Sequence, residues 1–348
     1  MKKKVGVAIS GGVDSGVAAA LLVRSGYQVA GFHLQLWQEV PEKAQDSLKV
    51  ARETAEKLKI PFYLVDFQSS FKKRVVDYFL KEYARGFTPN PCVKCNQLIK
   101  FGELREHART LGYDYLATGH YARIKKNKEF HLLKGKDEKK DQSYFLYGLT
   151  QKQLVQTLFP VGDYQKKEVI KMAKKWSLPV AERPESQEIC FFRESDYRPF
   201  LKRQIKKKII PGEVVDVGGR VIGEHQGLPL YTIGQRHGFR ITDKKVIGPL
   251  YVVAKKIKKN QLVVGFGQEV EKKEFKVKEV NWISGERPKK EIRCRVRIRH
   301  QGELLGGKFK KGRVFLDESE RGVAPGQAAV FYQGEEVLGG GIISLDND

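Results

Sequence analysis

The chain has no apolar run close to the ~20 residues that span a bilayer, and no internal repeat or low-complexity tail. The lysine-rich start, Met1-Lys2-Lys3-Lys4, resembles a signal n-region, but the apolar stretch after it breaks at Ser10-Gly11-Gly12, too early for an h-region. A cytoplasmic protein with no membrane partner is therefore expected. Cysteine is scarce, four in 348 residues. In a cytosolic chain so few point to catalytic, redox or metal-binding work rather than a disulfide framework. Acidic residues are outnumbered, 41 against 65 Lys plus Arg, for a formal net charge of +24. Such a balance implies a polyanionic partner, most simply nucleic acid. A lysine-rich surface of thermophile style would give the same number, and charge alone leaves both open.

The most informative feature that is present begins ten residues in. An apolar run, Val5 to Ile9, leads into Ser10-Gly11-Gly12-Val13-Asp14-Ser15. A strand ends there in a turn too tight for side chains, and a helix follows at once. Gly11 and Gly12 permit close backbone approach to a ligand. Free N–H groups at the helix start form an anion site. Ser10 and Ser15 add hydroxyls, and Asp14 can orient a metal or cap the helix. The GK[ST] ending of a Walker A loop is missing, so no lysine is placed for the β- and γ-phosphates. The string S-G-G-x-D-S resembles instead the PP-loop of ATP pyrophosphatases, which split ATP between the α- and β-phosphates.

Length allows two or three domains, and 41% hydrophobic with 10% aromatic residues allows globular cores. The first part alternates strand and helix: strands over Val5–Ile9, Tyr27–His33, Phe62–Asp66 and Tyr115–Thr118, helices over Ser15–Ser25, Glu42–Lys59 and Phe71–Tyr83. This order predicts an α/β fold, a doubly wound parallel sheet whose ligands sit at strand carboxyl ends, near Ser10, Leu34 and Gly119. Helical patterns continue over Lys152–Leu158 and Lys166–Trp176. From Gly212 the texture changes to short β-branched runs, among them Glu213–Val217, Val246–Ala254, Gln261–Gly265, Phe275–Val280 and Ile292–Ile298. These predict two small all-β domains, barrels or sandwiches. The expected division is 1–203, 204–272 and 273–348.

Asn90-Pro91-Cys92-Val93-Lys94-Cys95-Asn96 is a C-x-x-C bounded by turn residues. That spacing serves thiol redox chemistry, zinc or iron–sulfur clusters, but zinc would want a fourth Cys or a matched His, and no second C-x-x-C exists. Lys94 and a helix starting after Asn96 would lower the thiol pKa of Cys95. Cys190 lies in Ser186-Gln187-Glu188-Ile189-Cys190-Phe191-Phe192; Cys294 alternates on a strand and reads as a buried apolar position.

Taken in order, these segments resemble the tRNA-specific 2-thiouridylases. The nucleophile segment matches at Asn90-Pro91-x-x-x-Cys95-Asn96 with Ile99-Lys100-Phe101, and the second nucleotide motif at Thr118-Gly119-His120-Tyr121-Ala122-Arg123. Lys140-Asp141-Gln142-Ser143-Tyr144-Phe145-Leu146 and Ile189-Cys190-Phe191 match further signatures. Gly234-Gln235-Arg236 and Pro325-Gly326-Gln327 match the C-terminal domains, so the likeness covers essentially the whole chain. It implies an ATP- and Mg²⁺-dependent enzyme that adenylates the 2-oxygen of the wobble uridine in tRNAs for Lys, Glu and Gln, then replaces it with sulfur. Ala8, Ile9, Ser10, Gly11, Gly12, Val13, Asp14, Ser15, Leu34 and Gly119 would line the ATP site. Asn90, Pro91, Cys92, His120, Lys140, Asp141 and Gln142 would meet the target base or its tRNA, and Arg299, His300 and Gln327 would reach the anticodon arm. Cys95 would be the nucleophile, with Cys190 a persulfide carrier loaded by a cysteine desulfurase or a sulfur-relay protein.

The chain departs from that pattern at two places. Cys92 stands where many members have Asp, which opens a second scheme with Cys92, Cys95 and Cys190 as three ligands of a [4Fe–4S] cluster. Gly16 stands where Ser is usual, at some cost in helix propensity. The PP-loop alone also admits an amidotransferase-type or amino-acid-adenylating synthetase, and the basic β-domains alone admit a non-catalytic RNA-binding protein.

Overall fold

The computed structural model describes residues 2–40, 42–183, 189–192 and 194–344. Ser186, Gln187 and Glu188 of the third cysteine segment therefore lie outside the described residues.

Val5, Gly6 and Val7 are buried in succession on strand β1 (Lys4–Ala8), so both of its faces are covered, the pattern of a central parallel strand. It is followed by α1 (Val13–Arg24), β2 (Gln28–Gln35), α2 (Glu42–Leu58) and β3 (Phe62–Asp66). Helix α3 (Gln68–Phe71) runs through a π-helical turn into α4 (Asp77–Ala84). Helix α5 (Pro91–Lys94) continues through the π-helical segment Cys95–Leu104 into α6 (Arg105–Thr110), which leads to β4 (Tyr115–Ala117). A hairpin, β5 (Ala122–Lys126) and β6 (Phe130–Lys134), precedes α7 (Gln151–Leu154), β7 (Thr157–Leu158) and α8 (Lys166–Lys175). The parallel sheet has the order β3-β2-β1-β4-β7. The chain reverses direction of winding between β1 and β4, and the crevice at their carboxyl ends is where such sheets bind ligands.

The expected helix Lys152–Leu158 is shorter than its pattern. It stops at Leu154, and Thr157–Leu158 pairs as a strand with Leu116–Ala117. Thr157 is β-branched and buried, and its hydroxyl donates to the Gln153 carbonyl (2.7 Å), which closes the helix end. The hairpin β5–β6 was not expected. It leaves the first domain and joins the last one, Leu132 and Leu133 pairing with Val337 and Glu336.

Helix α9 (Tyr197–Gln204) leads to the middle domain, a sheet of order β10-β9-β8-β12-β11. Its strands are β8 (Gly212–Val215), β9 (Val221–His225), β10 (Arg240–Ile241), β11 (Tyr251–Lys256) and β12 (Gln261–Gly265). The expected strand Val246–Ala254 begins only at Tyr251, because Gly248 sits at φ +116° and Pro249 follows it. This domain does not have a core of its own. Phe71, Phe79, Cys95 and Ile99 pack in one cluster with Phe191, Phe200, Val214 and Leu262.

The last domain comprises β13 (Lys272–Trp282), β14 (Ile292–Arg297), β15 (Leu305–Lys310), β16 (Arg313–Glu320), β17 (Ala328–Gln333) and β18 (Glu336–Ser344). The order β13-β16-β15-β14-β17-β18, closed by a β13–β18 pairing, makes it a barrel. Trp282, Phe309 and Phe331 fill it, with ring centroids 5.0–5.5 Å apart, and Cys294 is buried beside them. The α/β domain followed by two all-β domains matches the expected fold class.

Candidate functional site

Three segments of the first domain, far apart in sequence, meet at the carboxyl end of its sheet. The first is the loop after β1. Ser15 Oγ accepts from the Ser10 N–H (3.1 Å) and donates to the Gly12 carbonyl (3.0 Å), while the two serine hydroxyls stand 3.2 Å apart. Gly11 sits at φ +81°, where a Cβ would be 2.5 Å from the Ser47 carbonyl oxygen. Gly12 caps α1 with no side chain of its own, so the first N–H groups of the helix face outward for an anion. Ala8 ends the strand, Ile9 is buried at its exit and Val13 opens the helix. Leu34 is half-buried near the end of β2.

Asp14, in the first turn of α1, is held by partners that the sequence did not suggest. Lys166, opening α8, donates to both carboxylate oxygens (2.7 and 2.8 Å), and the Tyr121 hydroxyl donates to one (2.7 Å). His33, buried on β2, bonds the Ile9 carbonyl through Nδ1 (2.9 Å) and braces the loop entry. Gly119 presses on the loop from the other side: a Cβ there would be 2.6 Å from the Ser15 nitrogen. Gly16 is buried, with Val180 2.8 Å from where its Cβ would stand, so a serine in its place meets a packed neighbour.

The second segment carries the C-x-x-C. Asn90 caps the helix, its Oδ1 accepting from the Cys92 N–H (3.1 Å), and Pro91 takes the first helical position. The helix thus starts before Cys92, not after Asn96, and Cys95 lies in its continuation, away from the N-terminal end. Lys94 is also diverted. It pairs with Glu279 of the barrel (3.0 Å) and lies over the Tyr78 ring. The expected lowering of the Cys95 pKa from those two sources is therefore overturned: burial raises that thiol, and Lys100 is the cation that opposes the rise.

A π-helix is bonded i to i+5, which brings a side chain five positions on back towards the same face. In the π-helical segment Cys95–Leu104 this applies to Cys95 and Lys100. The ammonium of Lys100 also opposes the rise at Cys92, which burial pushes up to about 11, and at Cys190, which burial pushes up to about 12 with Cys95 and Cys92 adding to it. Cys190 reaches the surface, but protein crowds it, and Phe191 and Phe192 anchor its segment in the shared aromatic core. The three thiols thus lie within electrostatic reach of one another and of one lysine.

The third segment links the other two. His120 follows Gly119, is buried, and bonds the Thr118 hydroxyl through Nδ1 (2.7 Å). Burial and Lys100 together hold it neutral, its pKa well below the ordinary value.

All four cysteines are free thiols. Among the described residues no three His, Cys, Asp or Glu side chains stand close enough to hold a metal ion. Cys92, Cys95 and Cys190 are the right donors for a cluster, and each of the three thiols is raised in pKa by burial. The loop does suit a nucleotide triphosphate with Mg²⁺: outward N–H groups for phosphate, and an Asp14 carboxylate for the metal.

The other expected contacts divide into exposed and braced residues. The Asp141 carboxylate is buried, pairs with Arg297 of the barrel (2.9 Å), and accepts from the Gly135 and Ser143 N–H groups. Gln142 accepts from the Tyr121 N–H (3.0 Å), and Lys140 is half-buried and itself bonded. Arg299 is exposed beside Glu320 (3.6 Å). His300 stacks near Phe145 (4.3 Å), its Nδ1 buried without a hydrogen-bond partner. Gln327 donates to the Thr88 carbonyl (2.8 Å).

A parallel-sheet nucleotide domain with a PP-loop, joined to a closed barrel, defines the class. Residues 3–194 match the tRNA methyl transferase HUP domain, 198–266 its PRC-barrel domain, and 272–343 the aminomethyltransferase β-barrel domain. The chain is 46% identical to the tRNA-specific 2-thiouridylase MnmA of Moorella thermoacetica, over 97% of this chain and 98% of that one. It is 44% identical to MnmA of Chloroflexus aurantiacus (97% of each chain) and 43% to that of Carboxydothermus hydrogenoformans (98% of each). The chain belongs to the MnmA family of tRNA-specific 2-thiouridylases.

Proposed function

We propose that the chain is an ATP-dependent tRNA-uridine 2-sulfurtransferase that makes 2-thiouridine at the wobble position of tRNAs for Lys, Glu and Gln. The observation that carries this reading is the adjacency of two sites. Gly119 packs against the PP-loop, and the next residue, His120, lies within reach of the Lys100 charge that also acts on Cys92, Cys95 and Cys190.

ATP would bind with its phosphates on the N–H groups of Gly11 to Ser15. Mg²⁺ at Asp14 would screen phosphate charge as pyrophosphate leaves. Lys166 and Tyr121 hold Asp14 in place, and Lys166 brings a positive charge to the phosphate end. The uridine 2-oxygen takes the adenylyl group, which turns a poor leaving group into AMP. The wobble base reaches the crevice only when turned out of the anticodon stack.

Sulfur is delivered either by a Cys190 persulfide or by a [4Fe–4S] cluster on Cys92, Cys95 and Cys190. On the persulfide route the terminal sulfur of a Cys190 persulfide attacks C2, a C–S bond forms, and AMP leaves with the C–O electron pair. The Cys95 thiolate then attacks Cys190 Sγ. That S–S bond breaks with its electron pair going to the uridine sulfur, and a Cys95–Cys190 disulfide remains for an external thiol to reduce. The sulfur comes from a cysteine desulfurase or a relay protein. Lys100 favours both thiolates. Asn90, Pro91, Cys92 and His120 would surround the base, with Lys140, Arg299 and His300 on the RNA, whose binding should weaken as salt rises.

The test is thiolation of an unmodified tRNA with ATP, Mg²⁺ and a desulfurase sulfur source, read as 2-thiouridine by mass spectrometry beside AMP release. Equal amounts of AMP and 2-thiouridine support the reading. AMP release that tRNA does not stimulate points to a small-molecule synthetase instead, and tRNA binding without AMP points to an RNA-binding protein.

A further inference from the structure

The segment that leads into the Cys92–Cys95 helix is held less by its own domain than by the other two. Every polar group of Thr88 is engaged outside the first domain. Its N–H donates to the Pro325 carbonyl (2.8 Å), its carbonyl accepts from Gln327 Nε2 (2.8 Å), and its hydroxyl bonds the Thr232 hydroxyl (3.1 Å). Pro325 and Gln327 belong to the barrel domain; Thr232 belongs to the middle one. The turn between them is close-fitting: Gly326 sits at φ +96°, and a Cβ there would be 2.8 Å from the Thr88 nitrogen. Two residues upstream, Lys255 on β11 donates to the Gly86 carbonyl (2.8 Å) and to that of Tyr231. Ile257 packs on Gly86 so closely that a Cβ would be 2.5 Å from its Cδ1.

Two residues after Thr88 comes Asn90, which caps the helix that carries the thiols. The barrel turn at Pro325–Gln327 runs straight into β17, whose neighbour β14 leads to Arg299 and His300. The two β-domains are therefore in direct bonded contact with the approach to Cys95, and the barrel contact includes Gln327, itself expected on RNA, one strand from Arg299 and His300.

From this placement we infer that Thr88 is a positioning residue for sulfur transfer: it couples the seating of RNA on the two β-domains to the position of Asn90–Cys95. This rests on the function proposed above. Nothing in it requires Thr88 to touch RNA. Its three bonds join the domains at one point, so a shift of either β-domain is passed to the helix start. A misplacement of about 1 Å in reacting groups can cost roughly 100-fold in rate, so a small shift suffices.

The test uses the full chain with Thr88→Val, which keeps the β-branched shape before Pro89 but removes the hydroxyl, and Thr88→Ser, which restores it. Single-turnover thiolation at saturating tRNA is measured with tRNA affinity and with iodoacetamide labelling of Cys95, mapped by mass spectrometry. Thr88→Val should thiolate about 10-fold more slowly at unchanged tRNA affinity, and Thr88→Ser should recover to within about two-fold. Cys95 labelling should respond to bound tRNA in the wild type and Thr88→Ser, and lose that response in Thr88→Val. A merely structural role would lower the thermal midpoint of Thr88→Val without touching the tRNA response. Wild-type thiolation by Thr88→Val, or a tRNA response equal to the wild type's, overturns the coupling. A wild type that makes no 2-thiouridine overturns the functional reading instead, and the labelling comparison then decides the coupling by itself.

Discussion

The nucleotide loop and the thiol cleft adjoin, yet they are built in opposite ways. The loop's turn is closed locally, Ser10, Gly12 and Ser15 bonding one another within six residues of chain, while Asp14 reaches far, to Tyr121 and Lys166. Its chemistry is that of backbone N–H groups, which need only the right turn. The cleft draws on Asn90–Lys100, Thr118–His120 and Cys190, and its thiols are raised in pKa by the burial that assembles them. A group of buried thiols needs a charge brought in from elsewhere, and Lys100 supplies it.

The sharpest way to separate the two regions is to disable each in turn. Asp14→Ala should reduce tRNA-dependent AMP release by ~100-fold or more, the scale of losing one group aimed at developing charge, while tRNA binding stays largely intact. Cys95→Ser and Cys190→Ser should abolish 2-thiouridine yet leave tRNA-stimulated AMP release within a few-fold of the wild type. If the cysteine variants lose AMP release as completely as Asp14→Ala, the regions are one site and the comparison fails.

The loop was legible because its signal is local. Ser-Gly-Gly-x-Asp-Ser after Val5–Ile9 names its own turn and helix start, and the βα alternation places it at a sheet's carboxyl end. What lay beyond reach was long-range. Lys166 stands 152 positions from Asp14, and nothing near either residue announces the pair. Asp141 was expected at the base or its tRNA, and its burial against Arg297 of the barrel, 156 positions away, has no local signal. Lys94 looked like the cation for Cys95 because it is adjacent in sequence. The π-helical segment favours Lys100 instead, and an α-helical spacing rule cannot foresee that. The hairpin β5–β6 has good alternation, but its partner strand is some 200 residues away.

Lys100→Met should slow thiolation about ten-fold near neutral pH, because a thiol already raised by burial loses the charge that favours its thiolate. The sign fixes the pH profile. Rate rises with pH as the thiolate forms, and removal of a cation moves that rise to higher pH. The variant should therefore approach the wild type in alkali. Lys94→Met, whose partner is Glu279, should leave the profile where it is. If the two lysine variants shift the profile equally, the assignment of Lys100 to the cleft is wrong.

Acid should weaken the fold through its buried neutral histidines, His120 on the cleft side first among them. His120 is buried neutral, with its pKa well below 6.5, while the unfolded chain protonates near that value. Below 6.5 the unfolded state binds a proton that the folded state refuses, so stability falls as pH drops, by about 1.4 kcal/mol per pH unit for each such group until the folded pKa is reached. His33, His225 and His300 are shifted in the same direction and add to the slope. Urea midpoints between pH 7 and pH 5.5 should fall for the wild type and fall less for His120→Gln. An equal slope in that variant would mean the other three histidines carry the effect.

The smallest effect tests whether the loop is as self-contained as its hydrogen bonds imply. Gly16 lies just past it, in α1, with Val180 against the place of its Cβ. Helix propensity alone says Gly16→Ser should stabilise by a few tenths of a kcal/mol. Packing says the reverse, since a Cβ at 2.8 Å from a buried methyl must displace it, and such overpacking costs about 1–3 kcal/mol. The steric cost is the larger, so Gly16→Ser should lower stability by about 1 kcal/mol or more. The double variant with Val180→Ala settles the cause. If the clash is real, Gly16→Ser should cost less, or turn stabilising, once Val180 has been shortened. Additive effects of the two substitutions would show that they do not meet.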